Sequence, residues 1–133
     1  MADEDAVLAA NEAFYNAFAA ADATAMEELW AREAPVACIH PGWGLLASRH
    51  EVIDSWRRIF RAAVPDIVCH SPRAFVLGET AFVVCLEIMP EAVLIATNVF
   101  VREGGVWRIA HHQAGPTGER PNIVATSPTG SRH

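Results

Sequence analysis

The sequence predicts an α+β domain, with helices first and an antiparallel sheet after them. Two observations carry this. Before residue 62 apolar side chains recur at helical spacing in three segments, and after Pro65 the pattern changes to alternating runs separated by short Gly/Pro-containing turns. A third is size: 133 residues, 52% hydrophobic and 20% charged, allow one domain with a substantial core. No internal repeat is present.

The first helix is expected over residues 3–21. Val7, Ala10, Phe14, Ala17, Phe18 and Ala21 share one face, and Asp3, Glu4 and Asp5 suit the positive end of the helix dipole. Thr24 and Glu27 have capping-box spacing ahead of Met26, Leu29 and Trp30, so a short second helix should run to Arg32. Ser48 and Glu51 repeat the signature before a stripe of Val52, Trp56, Ile59 and Phe60, with Asp54, Arg57, Arg58 and Arg61 on the wet side. Between these helices residues 35–40 read as a short strand stopped by Pro41-Gly42. Strands are then expected at 67–77, interrupted near Ser71-Pro72, and at 81–89, 93–102 and 106–113. From Ala114 the composition turns to Gly, Pro, Ser and Thr, which divides the chain into a domain, 1–115, and a C-terminal tail, 116–133.

Charge and cysteine usage narrow the partners. Ten basic against sixteen acidic residues give −6, every basic residue is arginine, and no phosphate-neutralising stripe can be drawn, so nucleic acid is excluded as an expected partner. No apolar run approaches a membrane span, and Met1-Ala-Asp-Glu-Asp5 is acidic where a signal peptide carries positive charge. Cys38, Cys69 and Cys85 are an odd set beside apolar neighbours, read as buried thiols. Together these predict a cytoplasmic protein with no membrane partner.

Strand parity brings the polar residues together. Two-residue turns at Pro90-Glu91 and Gly104-Gly105 set Glu87 opposite Leu94, Phe100 opposite Ile109 and Asn98 opposite His111. One face then carries Glu87, Asn98, His111 and Gln113 among Val83, Cys85, Ala96, Phe100, Trp107 and Ile109. The other carries Phe82, Val84, Leu86, Ile88, Val93, Ile95, Thr97, Val99, Val101, Ala110 and His112. That second face is too apolar for water, so a homodimer is expected through the surface bearing Val84, Leu86, Ile95, Thr97, Val99 and His112. The mixed face would turn toward the helices, with Trp30, Trp43 and Trp56 walling a cavity.

Three segments then carry a resemblance: Ala10-Asn-Glu-Ala-Phe-Tyr-Asn-Ala-Phe18, Val36-Ala-Cys-Ile-His-Pro-Gly42 ahead of a helix with Trp56, and Ala96-Thr-Asn-Val-Phe-Val-Arg-Glu-Gly-Gly-Val-Trp-Arg-Ile-Ala-His-His112. Over residues 5–115 the chain resembles the nuclear transport factor 2-like superfamily, in its SnoaL-like and ketosteroid-isomerase-like branch. The resemblance implies a conical barrel of three helices on a strongly curved, mainly antiparallel sheet, a ligand cavity in the cone, and dimerisation through the sheet. The strand Asp and oxyanion-binding Tyr of the ketosteroid isomerases have no counterpart, because the one tyrosine is Tyr15 on the first helix.

A carboxylate inside an apolar strand is costly unless paired or functional, which makes Glu87 a candidate proton-abstracting base, with His40 as the other candidate. Tyr15, Trp43, Trp56, Asn98 and His111 are the candidate substrate contacts. His111 and His112 cannot hold one ion from adjacent strand positions, so no metal and no cofactor are expected. The function expected is binding of a small, largely apolar carbonyl compound, with cofactor-free isomerase or dehydratase chemistry. The alternative is a non-catalytic ligand-sensing or dimerisation domain.

Overall fold

A computed structural model describes residues 2–64 and 66–121. Residues 122–133, most of the expected tail, lie outside the described residues. Helix α1 spans Asp3–Ala19, α2 Ala23–Leu29 and α3 Arg49–Arg61; strands are β1 Ala37–Ile39, β2 Val68–Leu77, β3 Thr80–Met89, β4 Ala92–Glu103 and β5 Val106–Pro116. The sheet runs β1-β5-β4-β3-β2 and is antiparallel except where β1 lies parallel to β5. It curls over the helices without closing, so the expected cone is present as an open sheet and not as a sealed barrel. Among the described residues no helix is long and apolar enough to cross a membrane.

Helix caps follow side-chain chemistry with one change. Ser48 caps α3 by accepting from the Glu51 amide at 3.1 Å. At α2 the capping residue is Asp22, whose carboxylate accepts from the Ala25 amide at 3.0 Å, and Thr24 falls inside the first turn. Asp outcompetes Thr here because its charged acceptor also favours the helix N-terminus. The helix accordingly starts two residues earlier than the capping-box reading places it, and it ends at Leu29 where Trp30 turns extended.

The β2–β3 and β3–β4 hairpins turn through two residues each, Leu77 pairing Thr80 and Met89 pairing Ala92, so Glu87 stands opposite Leu94. β2 is continuous through Ser71-Pro72, where the sequence suggested a break. Ser71 adopts φ 54° and the pairing shifts between His70 and Arg73, a bulge absorbing the irregularity. The last hairpin starts as expected, Glu103 with Val106 and Phe100 with Ile109, but Val99 then pairs His111, leaving Ala110 as an extra residue on β5. The Ile109 carbonyl at this bulge accepts from the Ala31 amide at 2.9 Å, and Trp30 bridges to Ile109 just before β1 takes over the same strand edge.

The core lies between the helices and the concave face. Phe14, Trp30, Trp56, Phe100, Met26 and Ile109 are its largest fully buried apolar side chains. Phe14 meets Trp56 edge-on at 5.6 Å between ring centres, and Phe18 meets Trp56 at 5.1 Å. The convex face keeps Phe75, Leu77 and Ile95 exposed, with Phe75 stacked on Phe82 at 4.8 Å. Residues 119–121 run alongside Val84, Leu86 and Ile95 on this face.

Candidate functional site

The Ala110 bulge reassigns the two histidines. After it, Asn98 pairs His112 and not His111, so His112 turns inward, 1% exposed, and His111 turns outward. His111 is therefore corrected from cavity contact to the outer face of β5, where its Nδ1 donates to the Ala37 carbonyl of neighbouring β1 at 3.0 Å. His112 is corrected from the convex face to the core, and Gln113, expected inside, is exposed. One uncounted residue on β5 causes all three changes.

The inward residues form a continuous polar network. Asn11 and Tyr15 are one helical turn apart on the buried face of α1, above β3 and β4. The Tyr15 hydroxyl donates to Glu87 Oε2 at 2.6 Å, and Asn98 Nδ2 donates to the Tyr15 oxygen at 3.2 Å and to Asn11 Oδ1 at 2.9 Å. With its amide nitrogen so committed, Asn98 presents Oδ1 to His112 Nδ1 at 2.6 Å, which makes Nδ1 the protonated nitrogen. The free Nε2 then stands 4.0 Å from Glu87 Oε2, too far for a hydrogen bond.

Glu87 is 2% exposed and has no arginine partner among the described residues, whose arginine ion pairs lie elsewhere. Burial pushes its carboxyl above the usual range, opposed by the Tyr15 hydrogen bond. Burial, reinforced by the nearby His40 and His111, lowers His112 to about 3. Tyr15 is driven far up by burial and by the Glu87 charge. A proton leaving or entering this network therefore passes between a neutral imidazole, a neutral phenol and an acid reluctant to ionise.

His40 belongs to a second cluster. Ser55 Oγ donates to the Val52 carbonyl at 2.7 Å, so it accepts from His40 Nε2–H at 2.9 Å, with Cys38 Sγ 3.7 Å from the same nitrogen. Burial lowers His40 to about 4. Trp56 meets its ring edge-on at 4.7 Å and Trp43 at 4.8 Å, Trp43 itself being 38% exposed under the Arg58 guanidinium. Trp43 thus covers His40 from solvent, and Trp56, like Trp30, fills the core in place of walling a cavity.

The opening that reaches the polar network is a cleft of about 590 Å³ between α1 and β2. It is lined by Leu8, Asn11, Glu12, Tyr15, Ile67 and Cys69, among others. Only Tyr15 of the sequence-selected site residues borders it; Glu87 and Asn98 lie one hydrogen bond behind. Asn11 and Cys69 are contacts that sequence reasoning missed. The signal for Asn11 was available: a polar residue four positions before Tyr15 on the apolar face of α1. Among the described residues no three His, Cys, Asp or Glu side chains converge as a metal site.

Comparison with known proteins places the fold. A model of the SnoaL-like domain matches residues 7–117. A candidate dehydratase of the NTF2-like family from Streptomyces avermitilis is 31% identical, with a TM-score of 0.79 over 86% of this chain and 96% of that one. A candidate association domain of calcium/calmodulin-dependent protein kinase type II from Thiobacillus denitrificans is 33% identical, with a TM-score of 0.74 over 82% of this chain and 93% of that one. The F-box protein SKIP8 of Arabidopsis thaliana is 29% identical over 112 residues, 82% of this chain. The chain spans about half of that relative, 48% of its length.

Proposed function

The chain belongs to the SnoaL-like domain family, within the nuclear transport factor 2-like superfamily, and from that premise we propose that it binds a small, largely apolar carbonyl compound in the α1/β2 cleft and shifts a proton on it without a cofactor. The observation carrying this reading is Glu87: a buried acid with no cationic partner among the described residues, held at 2.6 Å by the one tyrosine, which also lines the cleft. A ligand oxygen at the cleft floor would take a hydrogen bond from Asn11, while Glu87 accepts or returns a proton through Tyr15, whose single hydroxyl proton is held by Glu87. The dehydratase-like relative supports the same class of chemistry.

The test is deuterium exchange at the α-carbon of cyclic β,γ-unsaturated ketones in D2O, followed by NMR. Wild-type exchange should fall on the order of 10²-fold or more in Glu87→Gln and in Tyr15→Phe. Equal exchange in wild type and both variants, or none in wild type across the panel, overturns the catalytic part.

A second reading is supported by the filled aromatic core and the association-domain relative: a domain that assembles through its convex face. On this reading a second copy covers Val84, Ile95, Thr97 and Val99, beside the exposed Phe75 and Leu77. Val99→Arg should then convert a dimer to a monomer in sizing with light scattering, and an unchanged mass counts against that interface.

A further inference from the structure

Cys69 and Cys85 are the two chemically reactive groups that the proposed proton transfer leaves unused. They stand on neighbouring strands and both face inward: Cys69 pairs Glu87, and Cys85 lies two residues before Glu87 on β3. Opposite Cys85 the partner strand carries the bulge, since Leu86 pairs His70 and Val84 pairs Arg73, leaving Ser71 and Pro72 outside the ladder. One helix contacts both thiols. Asn11 Nδ2 donates to Cys69 Sγ at 3.6 Å, and the Tyr15 hydroxyl meets Cys85 Sγ at 3.3 Å. The two differ in access, because Cys69 is half-buried and lines the cleft whereas Cys85 is buried.

We propose that Cys69 and Cys85 form a reactive dithiol, in which Cys69 meets a hydroperoxide entering the α1/β2 cleft and Cys85 resolves the product as an intramolecular disulfide. In the first step the Cys69 sulfur attacks one peroxide oxygen, the O–O bond breaks, and sulfenic acid and water (or an alcohol) form. In the second the Cys85 sulfur attacks the Cys69 sulfur, the S–O bond breaks, and a second water leaves. Two thiols are oxidised by two electrons and one peroxide is reduced by two.

The asymmetry of the pair suits these roles. Cys69 is lowered, first by a side-chain hydrogen bond with Cys85 and also by Asn11, while that same hydrogen bond and burial raise Cys85. Cys38 is buried on β1, away from the cleft and from the pair, and burial pushes it up to about 12, which makes it an internal reference. Diagonal neighbours on paired strands sit roughly 7–8 Å apart at Cα, longer than a relaxed disulfide favours. The unpaired Ser71-Pro72 backbone is the part able to move, and the bond it permits is strained and easily reduced. Oxidation also withdraws Cys85 from the Tyr15 hydroxyl, so it reports on the cleft whether or not the cleft is catalytic.

The experiment uses the full chain with one equivalent of hydrogen peroxide at neutral pH, then alkylation and non-reducing tryptic mapping. Expected are a mass loss of about 2 Da, a fall from three alkylated cysteines to one, and a link between peptides 62–73 and 74–102 that millimolar glutathione reverses. In Cys85→Ser, Cys69 should instead be trapped by dimedone as sulfenic acid. In wild type before oxidation, Cys69 should alkylate at least about tenfold faster than Cys38, a measurement that needs no variant to fold. Three thiols surviving peroxide, a link through Cys38 or between two copies, or equal alkylation of Cys69 and Cys38 overturns the proposal.

Discussion

Two buried polar clusters flank the same pair of aromatic rings, Phe14 and Trp56, and they end differently. The His40 cluster terminates in a backbone carbonyl: His40 donates to Ser55, which donates to Val52, and Trp43 covers the ring. Each group on that path finds its partner inside the chain. The other cluster runs from His112 through Asn98 and Tyr15 to Glu87, an acid with no countercharge among the described residues, and it touches a cleft through Tyr15, Asn11 and Cys69. A buried polar path that closes on backbone stabilises and does little else. One that ends on an ionisable group beside an opening can exchange protons or ligands with solvent.

Acid should blur that difference most, because both clusters contain a histidine kept neutral by burial. His40 and His112 sit at about 4 and about 3 in the native state against 6.5 ordinarily. Below pH 6.5 the unfolded chain takes up protons that the native chain refuses, so stability falls as pH drops from 6.5 toward 4. The loss approaches ~3 kcal/mol per histidine by pH 4. Glu87 has the opposite sign. Its raised native pKa favours the protonated folded state, so its contribution is present at low pH and is lost as pH rises through that raised value. From its ordinary 4.5 upward Glu87 therefore opposes the histidines, and urea unfolding across pH should show an acid limb that Glu87→Gln steepens. An acid limb that Glu87→Gln flattens would make the carboxylate, and not the histidines, the controlling group.

Removing the hub of the open cluster is the next largest effect. Asn98 is fully buried and makes three hydrogen bonds, to Asn11, Tyr15 and His112. Asn98→Ala strands the Asn11 carbonyl oxygen and the His112 N–H without water, which costs on the order of 3 kcal/mol by urea denaturation. A loss below about 1 kcal/mol would mean the network is dispensable for folding.

The sequence makes these clusters legible unevenly, for identifiable reasons. Alternation along β3 and β4, with a two-residue turn between them, was enough to place Glu87 and Asn98 on the concave face. The same counting failed on β5 because Ala110 has no chemistry that announces a bulge. Its cause is the competition of the Trp30–Ala31 segment and β1 for one strand edge, a tertiary fact. Tyr15 and Glu87 were each conspicuous as a polar group among apolar neighbours, yet they are 72 residues apart, and periodicity carries no information about which helix turn lies over which strand position. The Ser55 partner of His40 was hidden more simply, on the flank of the α3 apolar stripe.

The smallest effect sharpens the contrast from the closed side. Ser55→Ala removes the acceptor for His40 Nε2–H and the donor to Val52, but the Val52 carbonyl also takes part in helix geometry and Cys38 Sγ remains 3.7 Å from the imidazole as a weak acceptor. With partial replacement at both ends, the loss should be about 1 kcal/mol. It should come with no change in ketone exchange and none in the alkylation rate of Cys69, because among the described residues no hydrogen bond links this cluster to the Tyr15–Glu87 pair. Stability by urea denaturation and exchange by NMR on the same preparation check both halves. If Ser55→Ala slows exchange as much as Glu87→Gln does, the clusters act as one unit across Phe14 and Trp56, and His40 returns as a participant in the chemistry.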